Sequence, residues 1–322
     1  MKKIFPLVVL LLVLSCKKDK SETKKVKEVT ITSNELKEAV SFLASDELKG
    51  RDTGTEGIES AAKFIEDRFV EYGAKPYFNE YRDNFKVDSL DAFNVVGFVE
   101  GNDDKLKDEV VIIGAHYDHI GFGRKVGNDS IGNGANDNAT GTAAVLAMAK
   151  YFATKKSNKR SVMFALFTAE ERGLLGSSHL AKRLKEENLN LYTMVNFEMI
   201  GVPFTDNRGY EVLATGFELS NMAEKINAYT NSNIVGESEV AKKYSLFKRS
   251  DNYPFYKEFN LPCHTLSSCD MSNFDYYHHV DDETELMNFE FMANLINKLT
   301  PAMEAITNSE TREIQMHEQA AE

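Results

Sequence analysis

Two adjacent carboxylates, Glu170 and Glu171, sit in the stretch LFTAEERGLLGS, which follows an apolar run from Ser161 to Thr168. Successive side chains on a strand point to opposite faces. Two carboxylates serving one place therefore require the chain to turn there, and they require different tasks. Other groups with chemical potential stand in comparable settings. His116 and Asp118 lie in GAHYDHI, Asp137 in GANDNATG and Glu198 in NFEMIG, while FDYYHHVDDETE holds His278, His279, Asp281 and Asp282. Imidazole and carboxylate together suit zinc, and a carboxylate can bridge two ions. Two such ions clamp a water and polarise a carbonyl or phosphoryl oxygen. Taken singly, each residue has an ordinary reading; Asp137, for example, is a fair helix N-cap. His119, His179, His264 and His317 are read as structural or surface residues. Agreement among five separate motifs, each at the end of an expected strand, points to a metal centre.

The elements that must position these groups alternate. Strands are expected over Asn94–Val99, Val110–Ala115, Val162–Thr168, Met194–Phe197, Tyr210–Ala214 and Cys263–Ser267. Helical spacing occupies Ser33–Leu43, Gly57–Tyr72, Ala139–Phe152, Ser177–Glu187, Phe217–Thr230, Tyr253–Phe259 and Phe289–Ile306. Near-continuous apolar strands separated by helices imply an α/β fold, a three-layer α/β/α sandwich around a mixed, mostly parallel central sheet. Ligands of such sheets gather at the carboxyl ends of the strands, where the candidate residues fall. The Gly-rich loop IGFGRKVGNDSIGNGAND lacks both the P-loop and the dinucleotide spacing, so it is not read as a phosphate cradle.

Charge and export signals bound the partners. The chain has 322 residues and a formal net charge of -12. Residues 1–28 carry eight Lys and three Asp/Glu, a net of +5, which leaves -17 on the remainder. An acidic body argues against nucleic acid. Lys2 and Lys3 precede an apolar stretch from Ile4 to Leu14 and then Ser15-Cys16, which reads as a signal peptide. Its ending, VLSC, resembles a bacterial lipobox in which Cys16 receives lipid. The expected organisation is a lipoprotein signal peptide at 1–16, a charged tether at 17–32, one domain at 33–310 with its catalytic core at about 93–306, and a flexible tail at 311–322. Cys263 and Cys269 then remain as an even pair, a possible disulfide in an oxidising compartment.

Together, GAHYDHI, GANDNATGTAA, FTAEERGLLGS, VNFEMIG and YYHHVDD resemble the di-zinc aminopeptidases of metallopeptidase family 28 over about Phe93 to Ile306. LKGRDTGTEGIESAAKFIEDRF is similar to the stretch that precedes this domain in many members. The resemblance implies two zinc ions per chain. Asp137 would bridge both; His116 and Glu198 would complete one site, Glu171 and His278 the other. Glu170 would be the general base, Asp118 would orient an imidazole, and Asp282 would do likewise near His278. A cis peptide bond between Asp137 and Asn138 is also implied. The family's usual residue at position 198 is aspartate, whereas this chain has glutamate. Of the two neighbouring histidines, the resemblance selects His278, since Tyr277 before it and Asp282 four residues beyond it match the family pattern. Ser250 and Asp251 resemble a position near the substrate amine, and Tyr276 is a candidate pocket residue with Tyr253, Phe255 and Phe274. The implied activity is an aminopeptidase on exported peptides, lipid-anchored in the cell envelope and monomeric. A one-zinc glutaminyl-peptide cyclase and a non-catalytic receptor are the alternatives.

Overall fold

A computed structural model describes Met1 and residues 28–318. Cys16 and the segment around it lie outside the described residues. Eleven strands occur among those residues: β1 Lys75–Pro76, β2 Arg82–Val87, β3 Leu90–Val99, β4 Val110–His116, β5 Phe122–Val126, β6 Asp129–Ile131, β7 Ser161–Phe167, β8 Leu191–Phe197, β9 Val212–Ala214, β10 Val235–Gly236 and β11 Cys263–Ser267. The α-helices are α1 Ser33–Leu43, α2 Glu56–Tyr72, α3 Thr140–Lys155, α4 Leu175–Glu186, α5 Met222–Thr230, α6 Glu239–Lys243, α7 Asn252–Phe259 and α8 Phe289–Asn308.

Nine strands form one sheet in the order β1-β3-β7-β4-β8-β11-β9-β10, with β2 pairing β3 on the same side as β1. Its centre, β7-β4-β8-β11, is parallel. β3 and β9 run antiparallel to their central neighbours. β4, β7 and β8 are buried along their whole length, which is why they read as continuous apolar runs rather than as alternating ones.

Alternate residues of these strands feed two cores. Val111, Ile113, Phe164, Leu166 and Val195 join residues of α1, α2, α3, α5 and α8. Val110, Ile112, Met163, Phe167, Met194 and Cys263 face Leu180, Ala181 and Leu184 of α4 and Phe255 of α7. The result is a helix–sheet–helix sandwich. Because the four central strands are parallel, their carboxyl ends lie along one edge; His116 pairs with Phe167, and Phe197 with Leu266.

Several expectations need correction. The Gly-rich loop after β4 carries the β5–β6 hairpin. The tether was drawn to residue 32, but Ile31 is buried and exchanges two hydrogen bonds with the Asn297 side chain. Its apolar side chain belongs to the core, so the charged segment ends before it. The described part of the tail, 311–318, is also tied down. Ile314 is buried and its N–H donates to Tyr192 Oη, and Met316 bridges to Ser220. Polar contacts of Arg312, Glu313 and Gln315 hold the stretch on either side of Ile314.

The cysteines are not paired. Both are buried and free. Cys263 belongs to the core under α4 and α7, while Cys269 joins the core on the opposite face of the sheet. The sheet stands between the two thiols, and burial pushes both up, Cys269 to about 12.

Candidate metal centre

His116 is the last residue of β4, so its side chain leaves the sheet at the carboxyl edge. After β7 the chain turns sharply. Ala169 and Leu174 have φ of 54° and 62°, and the Gly173 and Leu174 N–H groups both donate to Glu170 O. This turn places Glu170 and Glu171 together at the edge. Glu198 follows β8 directly. Asp137 precedes α3 in an irregular turn, and its bond to Asn138 is cis.

These side chains converge on two clusters that share Asp137. His116, Asp137 and Glu198 form one; His119, Asp137 and Glu171 form the other, with ligand atoms inside each lying within 4.8 Å of one another. In the first, His116 Nε2 is 3.0 Å from Glu198 Oε1 and 3.3 Å from Asp137 Oδ1. In the second, Glu171 Oε1 is 2.9 Å from His119 Nδ1 and Glu171 Oε2 is 2.8 Å from His278 Nε2, which is 3.4 Å from Asp137 Oδ2. His278 thus joins this cluster. His279 turns away, and its Nδ1 accepts the Asp281 N–H at 3.1 Å.

The chemistry of the donor set fits zinc, and so does its bonding. Asp137 Oδ2, Glu171 Oε1, His119 Nδ1 and His278 Nε2 are all buried and lack hydrogen-bond partners. Buried polar atoms are normally satisfied, so four unsatisfied donors and acceptors facing one point suit a cation between them.

Charge balance follows from the same proximity. Burial pushes the Asp137 carboxyl up, but the neighbouring imidazoles of His116, His278 and His119 outweigh it and hold it well below the usual range. Burial lowers His278, yet the carboxylates of Asp137 and Glu171 raise it to about 10. Glu170 is different. Burial, with Asp251, Glu198 and Glu171 nearby, raises its carboxyl well above the usual range against the opposing pull of His116.

The surrounding residues place these groups. Asp118 Oδ1 accepts the Glu170 N–H at 3.2 Å, Oδ2 accepts the Glu171 N–H at 3.4 Å, and Oδ1 lies 3.6 Å from His116 Nδ1. Asp282 does not orient His278 as expected. Its oxygens accept the N–H groups of Asn136 and Asp137 at 2.8 and 3.0 Å, so it holds the turn that carries Asp137. The resemblance implied the other role, but the loop folds back over the turn before α3.

The expected substrate residues are distributed differently. Ser250 lines a small cavity of about 50 Å³ beside the clusters, together with Glu170, Met199, Arg249, Met271 and Tyr277. Its hydroxyl is engaged by Glu198 and Asn196. Asp251 is completely buried and is not among the cavity's lining residues; burial and the Glu198 and Asp118 charges raise it to about 7, against His116 and Ser177. Tyr276 packs against His279 outside the cavity and Tyr277 faces in, because neighbours in this loop point to opposite sides. Phe255 and Phe274 are core residues, and Tyr253 lines a separate cavity with Phe217 and Phe247.

Two residues escaped the sequence reading. His119, expected as a structural or surface residue, is fully buried beside Glu171. Its signal was the spacing of three from His116 at a strand end. Arg51 is 1% exposed, and its guanidinium donates to the carbonyls of Tyr117, Leu43, Asn133 and Gly134. It joins the loops bearing His119 and Asp137. A lone arginine between turn-forming residues gave no hint of that.

The model of peptidase family M28 matches residues 94–300. The chain belongs to this family. Among curated relatives, a probable leucine aminopeptidase 2 from Arthroderma benhamiae is 28% identical over 173 residues, 53% of this chain and 32% of that protein. A probable zinc metalloprotease from Pyrenophora teres f. teres is 36% identical over 107 residues, 33% of this chain and 22% of its own length. The chain thus spans about a third or less of these relatives. Solved structures share the fold. The LapA aminopeptidase of Legionella pneumophila superposes with a TM-score of 0.68 at 22% identity, covering 87% of this chain and 73% of that one. A zinc aminopeptidase of Bacillus subtilis gives 0.68 at 16%, covering 91% and 99%. A glutaminyl cyclase of Porphyromonas gingivalis gives 0.66 at 14%, covering 86% and 99%.

Proposed function

We propose that this M28 chain is a zinc-dependent aminopeptidase that removes N-terminal residues from peptides. One observation carries the reading. A single carboxylate, Asp137, is shared by two clusters of metal-ligand side chains, and the cavity beside them is lined by a further carboxylate, Glu170, that belongs to neither. His116, Asp137 and Glu198 would hold one zinc; Asp137, Glu171 and His278 would hold the other. Bound zinc supplies Lewis acidity that polarises the scissile carbonyl and acidifies water.

The chain's own groups account for the proton transfers. Glu170, with its raised proton affinity, takes the proton of the attacking water as the carbon–oxygen bond forms. It gives that proton to the departing amine as the carbon–nitrogen bond breaks. Asp118 keeps Glu170 and Glu171 in register through their backbone N–H groups. Two clusters sharing a carboxylate support hydrolysis over the one-zinc cyclase reading.

The wider reading is an exported enzyme of the cell envelope, anchored through lipid on Cys16. It rests on the basic start, the apolar stretch and VLSC.

A digest of peptide pairs that differ only in a free or acetylated N-terminus tests the activity. Stepwise release from the free peptides alone is expected. Internal cleavage of blocked peptides, or cyclisation of N-terminal glutamine without hydrolysis, would overturn it.

A further inference from the structure

His119 is the feature of the site left without a task. It lies at 0% exposure, and neither ring nitrogen has a hydrogen-bond partner. A buried imidazole with both nitrogens unsatisfied is costly, so the fold must gain something from it. Its Nδ1 lies 2.9 Å from Glu171 Oε1 and 3.8 Å from Asp137 Oδ2. The contact with Glu171 is not a hydrogen bond, since neither atom has a hydrogen-bond partner. Two atoms this close and misaligned for hydrogen bonding suit neighbouring ligands of one cation.

The backbone holds the ring in place. The His119 N–H donates to Arg51 O, and Gly134 closes over the imidazole with φ of 57°. A Cβ at Gly134 would stand 2.5 Å from His119 Cγ. Only glycine allows both that φ and that approach. On the other side of Glu171 the His278 ring meets the His119 ring edge-on, with centroids 5.6 Å apart.

We propose that His119 is a metal ligand, which gives the Glu171 site four protein ligands: His119, Asp137, Glu171 and His278. This rests on the zinc reading above. The other site then keeps three, His116, Asp137 and Glu198. A site with four protein ligands is the pattern of tightly held zinc, and one with three leaves a position for water or substrate. The two sites therefore divide the work. The Glu171 site fills first and holds its ion, and the Glu198 site is the exchangeable one.

X-ray absorption on the full chain, stripped of metal and reloaded with zinc, tests this without relying on turnover. Two imidazoles on the zinc at one equivalent are expected, and three imidazoles shared by two zincs at full loading. His119→Ala should reduce both counts by one. It should also weaken the first zinc by more than the roughly 10–100-fold cost of losing an outer partner. One imidazole per zinc in the unaltered chain at full loading would overturn the His119 assignment alone. Failure to bind zinc would overturn the functional reading with it. The count on the unaltered chain decides the matter even if His119→Ala folds poorly.

Discussion

Ser250 Oγ donates to Glu198 Oε2 at 2.8 Å while the other oxygen of the same carboxylate stands 3.0 Å from His116 Nε2. The longer glutamate at a position where the family usually has aspartate is thus held at both ends. Ser250 in turn accepts from Asn196 Nδ2 at 2.9 Å, and Asn196 also donates to Thr265 Oγ1. Outer partners of this kind fix the orientation of a ligand. Ser250→Ala is expected to leave the fold intact and to weaken zinc at the Glu198 site by roughly 10–100-fold. Competition against a chromophoric chelator measures it, and an unchanged second binding constant would show that Glu198 needs no support.

Glu170 and Glu171 should separate cleanly. Glu170→Gln keeps the shape and removes the proton acceptor. The expected result is full zinc content with turnover reduced on the order of 10²–10⁴-fold. Parallel metal analysis and initial rates on a chromogenic aminoacyl substrate check this. Normal turnover in that variant would take the acid–base role away from Glu170.

Arg51 lies beneath the site as a structural clamp. Arg51→Met would strand the carbonyls of Tyr117, Leu43 and Asn133 in a buried setting, while Gly134 O keeps the Ala139 N–H. Each unsatisfied buried group costs about 1–3 kcal/mol, so a loss of at least about 3 kcal/mol is expected. Urea unfolding of the zinc-free chain reads it out. A midpoint within error of the parent would mean that these carbonyls find other partners.

His264 makes its own contribution to the pH dependence of stability. Its Nδ1–H donates to Thr215 O at 2.8 Å and its Nε2 accepts from Ser220 Oγ at 2.7 Å, so the neutral ring is fully used. Burial, with His317 adding to it, lowers the ring to about 4 against the pull of Thr215. The unfolded chain titrates near 6.5 and so binds the extra proton first. Stability from this group is complete above about pH 6.5 and is lost as pH falls toward about 4, on the order of 3 kcal/mol in all. His264→Gln should flatten the denaturation midpoint across that window. An equally steep fall in the variant would place the acid sensitivity elsewhere.

How much of this was legible beforehand depended on how local the signal is. The central strands announce themselves because a strand buried on both faces must be apolar at every position. His116, Glu170, Glu171 and Glu198 were found because each stands at or just past the end of such a strand, and parallel strands bring their ends to one edge. The turn after β7 could be inferred from two neighbouring carboxylates alone. The distinction between His278 and His279 was also readable, from the match of Tyr277 and Asp282 to the family pattern.

What the chain alone did not reveal depends on contacts between distant segments. The fate of Cys263 and Cys269 turned on which face of the sheet each occupies. The role of Asp282 was decided by how its loop folds over the turn before α3. Tyr277 rather than Tyr276 faces the cavity for the same kind of reason. His119 and Arg51 lie in motifs that looked like loop punctuation. They became part of the centre only because three segments, around residues 51, 119 and 134, pack into one buried volume. Hydrophobic pattern reports which face of an element is covered. It carries no information about which distant polar group waits on the other side, and that pairing is set by tertiary packing.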